Sequence, residues 1–235
     1  MINNIKTLYG NGCSFTNDNH VKLNLGKPLY LDLLGEMLEA EVINNAFAGS
    51  CNRRIIRTTL RDCILHKFDH TTFVLVQLTF MERTEKPFVP NKYNSWKASH
   101  NTAKLELHES IKPNDPGNTD YSDYFLKHFD PAAELVNLAT DLVMLSGFLK
   151  NCNIPHYIFH YPMLTHQGIF DSVSNNPMIT QLVQNTHVAN ILGQALIEKL
   201  ENHNYHYDGS HMNPAGHKAA ADILFKSINF PNQGN

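Results

Sequence analysis

Strands and helices alternate along the 235 residues, and the pattern predicts an α/β fold: a parallel sheet covered by helices on both faces. Three stretches carry that expectation. "TTFVLVQLT" (71–79) is β-branched and apolar without alternation, as expected of a parallel strand buried on both sides. "KPLYLDLLGEMLEAE" (27–41) sets Leu31, Leu34, Met37 and Leu38 at helical spacing. "SCNRRIIRTTLRDCILHKF" (50–68) sets Ile55, Ile56, Leu60, Cys63 and Ile64 on one helical side and arginines on the other.

The remaining elements follow in order. "IKTLYG" (5–10) predicts the first strand, closed by a Gly-rich turn. Pro28 suits the first turn of the helix after it. "EVINNAFAG" reads as a short second strand ending at Gly49. Residues 84–130 break the rhythm with Pro, Asn, Asp, Ser and Tyr and predict a long functional excursion with a few short elements. Asp130 can cap, and Pro131 can open, a helix running through "DPAAELVNLATDLVMLSGFLKNCN". "IPHYIFHYP" predicts a strand, 161–190 an irregular connection and "ILGQALIEKLEN" a helix. A last helix starts near Asn213. No repeat or low-complexity linker divides the chain, so 1–235 reads as a single domain.

Composition narrows the function. The chain is 42% hydrophobic and 17% charged, with a net charge of −3, and offers no basic face for nucleic acid. Cys13, Cys51, Cys63 and Cys152 form no CxxC pair and read as reduced thiols of a cytoplasmic protein. "MINNIKTLYG" lacks the basic and apolar regions of a signal peptide, and no run approaches a membrane span.

In parallel α/β sheets ligands bind beyond the carboxyl ends of the strands. Ser14 stands just past the first strand, where Gly10 and Gly12 would allow a sharp turn lifting its hydroxyl over the sheet edge. A serine hydroxyl needs a neighbouring base to become a nucleophile. "DGSHMNPAGH" supplies one: Asp208, three residues before His211, can hold one imidazole tautomer while the other ring nitrogen faces a serine.

The set "GCSFT", "NAFAGSCN", "VLVQLT" and "DGSHMNPAGH", in this order, resembles the SGNH hydrolases, also called GDSL-type lipases and esterases. The resemblance spans about residues 4–228 and implies a flavodoxin-like α/β/α sandwich with five parallel strands, with 84–130 as a family-variable insertion. It also implies Ser14 as nucleophile, Asp208 and His211 as the acid–base pair, and the Ser14 and Gly49 N–H groups as oxyanion donors. The family's third block reads Gly-x-Asn-Asp, whereas here Gln77 stands at the glycine place, Thr79 at the asparagine place and Phe80 at the aspartate place. Thr79 can donate one hydrogen bond there, and Asn52 is another possible donor. Losing one oxyanion donor typically costs about 2.7–4 kcal/mol of transition-state stabilisation.

Other readings fit less well. Cys13 reads as a small packing residue. Gly10-x-Gly12 has Phe15 where a dinucleotide fingerprint needs its third glycine. His203, His206, His211 and His217 match no standard zinc spacing, so no metal and no cofactor are expected. Arg83, Arg53 and Arg54 can bind an anionic substrate; the alternatives are pairing to Glu82 or Glu85 for Arg83 and solvated helix positions for Arg53 and Arg54. Tyr93, Trp96, Tyr121, Tyr124 and Phe125 of the insertion can stack on sugars or pin down the excursion. The expected function is a serine esterase acting on short acyl esters, with O-acetylated carbohydrate as the preferred small-molecule or glycan substrate. A non-catalytic glycan- or protein-binding module and a sugar O-acyltransferase are the alternatives.

Overall fold

The computed structural model describes residues 4–18, 21–22, 25–87, 108–111, 127, 129–162, 164–165, 167–189, 195–200, 205–206 and 211–228. Four parallel strands form the sheet: β1 (Thr7–Asn11), β2 (Glu41–Asn44), β3 (Thr72–Leu78) and β6 (His156–His160), in the order β2-β1-β3-β6. Of the expected fifth strand, the described residues hold a single parallel bridge on the outer side of β6. Ile158 N–H donates to His187 C=O (2.9 Å) and Ala189 N–H to Ile158 C=O (2.8 Å), around the Ile158–Val188 pair.

Alternation along each strand sends side chains to two cores. Tyr9, Val74, Val76, Leu78 and Ile158 face one core, packed by α2 (Asn52–Leu65), α3 (Pro131–Asn151), α4 (Gln167–Val173) and α5 (Pro177–Val183). Leu8, Phe73, Leu75 and Phe159 face the other, packed by α1 (Tyr30–Met37), α6 (Leu196–Lys199) and α7 (Pro214–Ile228). Helices therefore cover both faces of the sheet. All seven residues of β3 are buried, and full burial of each large apolar side chain contributes about 1.5–3 kcal/mol.

Helix starts follow local chemistry. The α1 helix begins at Tyr30 rather than nearer Pro28, because the Asp32 carboxylate reaches back to the Leu29 N–H (2.9 Å). Cys51 caps α2 with its sulfur accepting the Arg54 N–H. Asp130 caps α3 through the Ala132 and Ala133 N–H groups, with Pro131 first in the helix, as expected. By length and composition α3 could cross a membrane, which no run was expected to do. Here Leu135, Leu138, Ala139, Leu142, Leu145 and Leu149 form its buried stripe against the sheet.

Three expectations are corrected. The irregular 161–190 stretch contains α4 and α5, the latter opened by Asn176 capping the Met178 N–H and by Pro177. Met37 and Ile64 project outward, 38% and 63% exposed, beyond the apolar stripes they extend in sequence. Arg54, read as solvated or substrate-binding, is buried beneath the Phe47 ring (4.8 Å) and donates to Ser50 Oγ (2.9 Å). Within 84–130, where a few short elements were expected, β4 (Thr84–Pro87) and β5 (His108–Ile111) pair antiparallel. Tyr93, Trp96, Tyr121, Tyr124 and Phe125 lie outside the described residues.

Two buried histidines tie helices to their neighbours, one to the sheet and one to another helix. His156 Nδ1 donates to Ile154 C=O (2.9 Å), which leaves Nε2 to accept the Ser146 hydroxyl of α3 (2.8 Å). His217 of α7 accepts the Tyr30 N–H of α1 at Nδ1 (3.2 Å). Burial lowers both imidazoles from 6.5 to about 4. Between those values the unfolded chain binds protons that the folded chain refuses, so stability falls as pH falls through the window. The loss is about 1.4 kcal/mol per pH unit for each histidine. Urea melts taken from neutral pH down to pH 4 should show that decline, and His156→Gln should make it shallower.

Candidate active site

β1 lies between β2 and β3, so the sheet's topological switch point falls at the carboxyl ends of β1 and β3. Asn11 anchors that end of β1: Nδ2 contacts Ile55 C=O, Thr58 Oγ1 and Thr59 Oγ1 of α2 (2.9–3.0 Å), and Oδ1 accepts the Gly12 N–H (2.9 Å). The chain then turns, with Cys13 C=O accepting the Thr16 and Asn17 N–H groups (both 3.0 Å). In a trans peptide the following N–H points opposite to the C=O. The Ser14 N–H is thus directed out of the turn, and among the described residues it has no partner.

The glycines before Ser14 serve close approach rather than the bend, since neither Gly10 nor Gly12 has a positive φ. A Cβ on Gly10 would strike the Leu31 side chain, and one on Gly12 would sit 2.7 Å from Gln77 Oε1. Cys13 is fully buried beside Ser14, as its packing reading expects.

Ser14 and His211, 197 positions apart, meet with His211 Nε2 3.0 Å from Ser14 Oγ, a hydrogen-bonding distance. His211 lies three residues before the first residue of α7, next to buried Met212 and the helix cap Asn213, which accepts the Gly216 N–H (2.9 Å). Its ring packs on Phe15 (4.9 Å), which stacks on buried Tyr161 (4.1 Å). Asp208 lies outside the described residues, as does His203. His217 serves the Tyr30 N–H rather than His211.

Gly49 lies in the Phe47–Ser50 turn, closed by Ser50 N–H to Phe47 C=O (3.1 Å), with φ of +84°, a left-handed conformation that suits glycine. Phe47 N–H donates to Gly12 C=O (3.2 Å), joining this turn to the serine loop. Among the described residues the Gly49 N–H is also unpartnered.

Thr79, just past β3, is fully buried, and its hydroxyl has no partner among the described residues. Asn52 is used differently from the oxyanion donor that sequence suggested. Its Oδ1 accepts the Thr79 N–H (2.8 Å) and its Nδ2 donates to Thr79 C=O (3.0 Å), so both ends of the amide hold the Thr79 backbone. Arg83 donates to Ser50 C=O (3.3 Å) and lies over the Phe80 ring (5.0 Å), tying the β2 and β3 loops together. It also lines a recess with Asn52, Arg53, Glu134 and Asp141. Burial raises the Asp141 carboxyl, and nearby Arg53 opposes that shift.

Sequence reasoning missed the roles of Asn11, Phe15 and Gln77. A polar residue inside an apolar strand was the available signal for Gln77 and Asn11, whereas nothing local marks Phe15 as a support for His211.

No family model and no curated protein matches the sequence. Solved structures do. TesA superposes with a TM-score of 0.55 at 12% identity, covering 95% of this chain and 98% of that one. The esterase EstA from Pseudoalteromonas sp. gives 0.52 at 13%, covering 95% and 96%. Two catalytic mutants of Axe2, an acetylxylan esterase from Geobacillus stearothermophilus, give 0.52 at 15% and 14%, each covering 96% and 95%. Their substitutions replace an aspartate and a histidine three residues apart.

Removing the Asn52 amide would leave the Thr79 N–H and C=O buried without partners. Asn52→Leu should therefore cost about 3 kcal/mol in denaturant melts, since each orphaned buried group costs about 1–3 kcal/mol. With these neighbours, and with the motifs in this order at the strand ends, the chain has the fold of the SGNH hydrolases.

Proposed function

We propose that the protein is a serine esterase that cleaves short acyl esters, in one hydrolase domain spanning 1–235 with 84–130 as its insertion. The observation that carries this reading is the 3.0 Å approach of His211 Nε2 to Ser14 Oγ at the switch point of the sheet. With Nε2 unprotonated, the Ser14 hydroxyl donates to it. As Oγ attacks the ester carbonyl, the imidazole takes the proton and returns it to the departing alkoxide. Water, deprotonated by the same nitrogen, then frees the acyl group from Ser14. Asp208 is the proposed partner of the other ring nitrogen. In support, its spacing to His211 equals that of the aspartate and histidine substituted in the Axe2 catalytic mutants.

The tetrahedral oxyanion is held by the unpartnered Ser14 and Gly49 N–H groups and the Thr79 hydroxyl. Among the described residues Thr79 Oγ1 is buried with nothing else to donate to, a costly arrangement unless a group arrives there. Arg83 is the proposed contact for the polar part of the substrate. An O-acetylated carbohydrate is the proposed substrate class, supported by the acetylxylan esterase among the structural neighbours.

Hydrolysis of p-nitrophenyl acetate and of acetylated xylo-oligosaccharide tests the reading. Ser14→Ala and His211→Ala should each lower kcat by about 10⁴-fold or more. Equal rates for wild type and Ser14→Ala would dismiss the mechanism. Thr79→Val keeps the shape but removes the donor, so kcat should fall about 10²- to 10³-fold with KM nearly constant. Thr79→Asn should retain more activity than Thr79→Val.

A further inference from the structure

Gln77 occupies the place where the resembled family carries glycine, and it is buried, 1% exposed, at the carboxyl end of β3. Its side chain crosses to the loop after β1. Oε1 accepts the Cys13 N–H (3.2 Å) and the Thr16 hydroxyl (3.0 Å), and the Cys13 thiol lies 3.5 Å from the same oxygen. Nε2 donates to the C=O of Leu78 in its own strand. A backbone N–H only donates and a C=O only accepts, so these two partners fix which end of the amide faces which way. The Thr16 hydroxyl spends its hydrogen on Gln77 and accepts from the Tyr30 hydroxyl (2.7 Å). Burial raises that phenol above its ordinary range and so keeps it protonated.

These contacts fall on the residue before Ser14 and on the second residue after it. Cys13 is then held at both its polar backbone atoms: its N–H by Gln77, its C=O by the Thr16 and Asn17 N–H groups. The peptide leading into Ser14 has no freedom to rotate, and the Ser14 N–H keeps its outward direction. Gly12 is the counterpart, because only a residue without a Cβ leaves room for the Gln77 amide.

We infer that Gln77 is a positioning residue for the nucleophile: its amide clamps the Cys13 N–H and the Thr16 hydroxyl, fixing the Ser14 side chain and N–H in attacking geometry. This rests on the reading of Ser14 as the nucleophile. A displacement of about 1 Å at a reacting group can cost about 10²-fold in rate.

The test compares wild type, Gln77→Leu, Gln77→Glu and Ser14→Ala. It reads p-nitrophenyl acetate turnover, the rate of fluorophosphonate capture and thermal melting, with rates taken per mole of folded protein. Gln77→Leu should lower kcat and phosphonate capture about 10²-fold with little change in KM. Gln77→Glu reproduces the glutamine's donor and acceptor only while its carboxyl is protonated. It should approach wild-type turnover at low pH and lose it as pH rises, a limb absent from the wild-type profile. Wild-type kcat and capture rates in Gln77→Leu would overturn the assignment, as would a Gln77→Glu profile parallel to wild type. Should Gln77→Leu not fold, the Gln77→Glu profile decides alone. Undiminished turnover in Ser14→Ala, or a wild type that neither hydrolyses the ester nor takes the phosphonate, removes the nucleophile and this assignment with it.

Discussion

Everything at the site depends on the parallel register between β1 and β3. Asn11 lies opposite Val76, so the chain leaving β1 passes directly over Gln77, and the loops carrying Ser14 and Thr79 emerge side by side. That register is enforced from both faces of the sheet, because β3 contributes alternate side chains to two separate apolar cores. A slip of one residue would exchange the two sets and misfit both.

Where the ladder of the sheet stops, carboxamides continue it. Asn11 links the end of β1 to α2, Asn52 links α2 to the chain after β3, and Gln77 links β3 to the serine loop. Each carries a donor and an acceptor on one rigid plane, so it can stand in for the peptide group that a neighbouring strand would have supplied. The loops facing the cleft are thus fastened to one another by side chains, alongside the one backbone bond from Phe47 N–H to Gly12 C=O described above. The hydrogen bonds of Arg54 and Arg83 to Ser50 add a fourth joint.

How far the fold and site were legible follows from where the information lies. β3 was legible because burial on both faces demands an unbroken apolar run, and α3 because Asp130 and Pro131 mark its start locally. Ser14 and His211 were legible as a pair only through their order along the chain, since nothing at either position announces a partner 197 residues away. The use of Asn52 was not legible, because an amide side chain has the same chemistry whether it meets a ligand or a backbone. Nor was the Val188 bridge beside β6, because strand pairing depends on geometry that residues 161–190 do not encode as a pattern. The glycines misled for a similar reason: glycine serves a bend and a close contact alike, and only the neighbours at 31 and 77 tell them apart.

The stack of Tyr161, Phe15 and His211 has a mechanical consequence. Phe15 is the chain neighbour of Ser14, so the surface that the imidazole leans on is covalently joined to the nucleophile. A small displacement of the serine loop carries the ring's backing with it. The two reacting groups drift together rather than apart, and their separation is better conserved than the position of either one relative to the sheet.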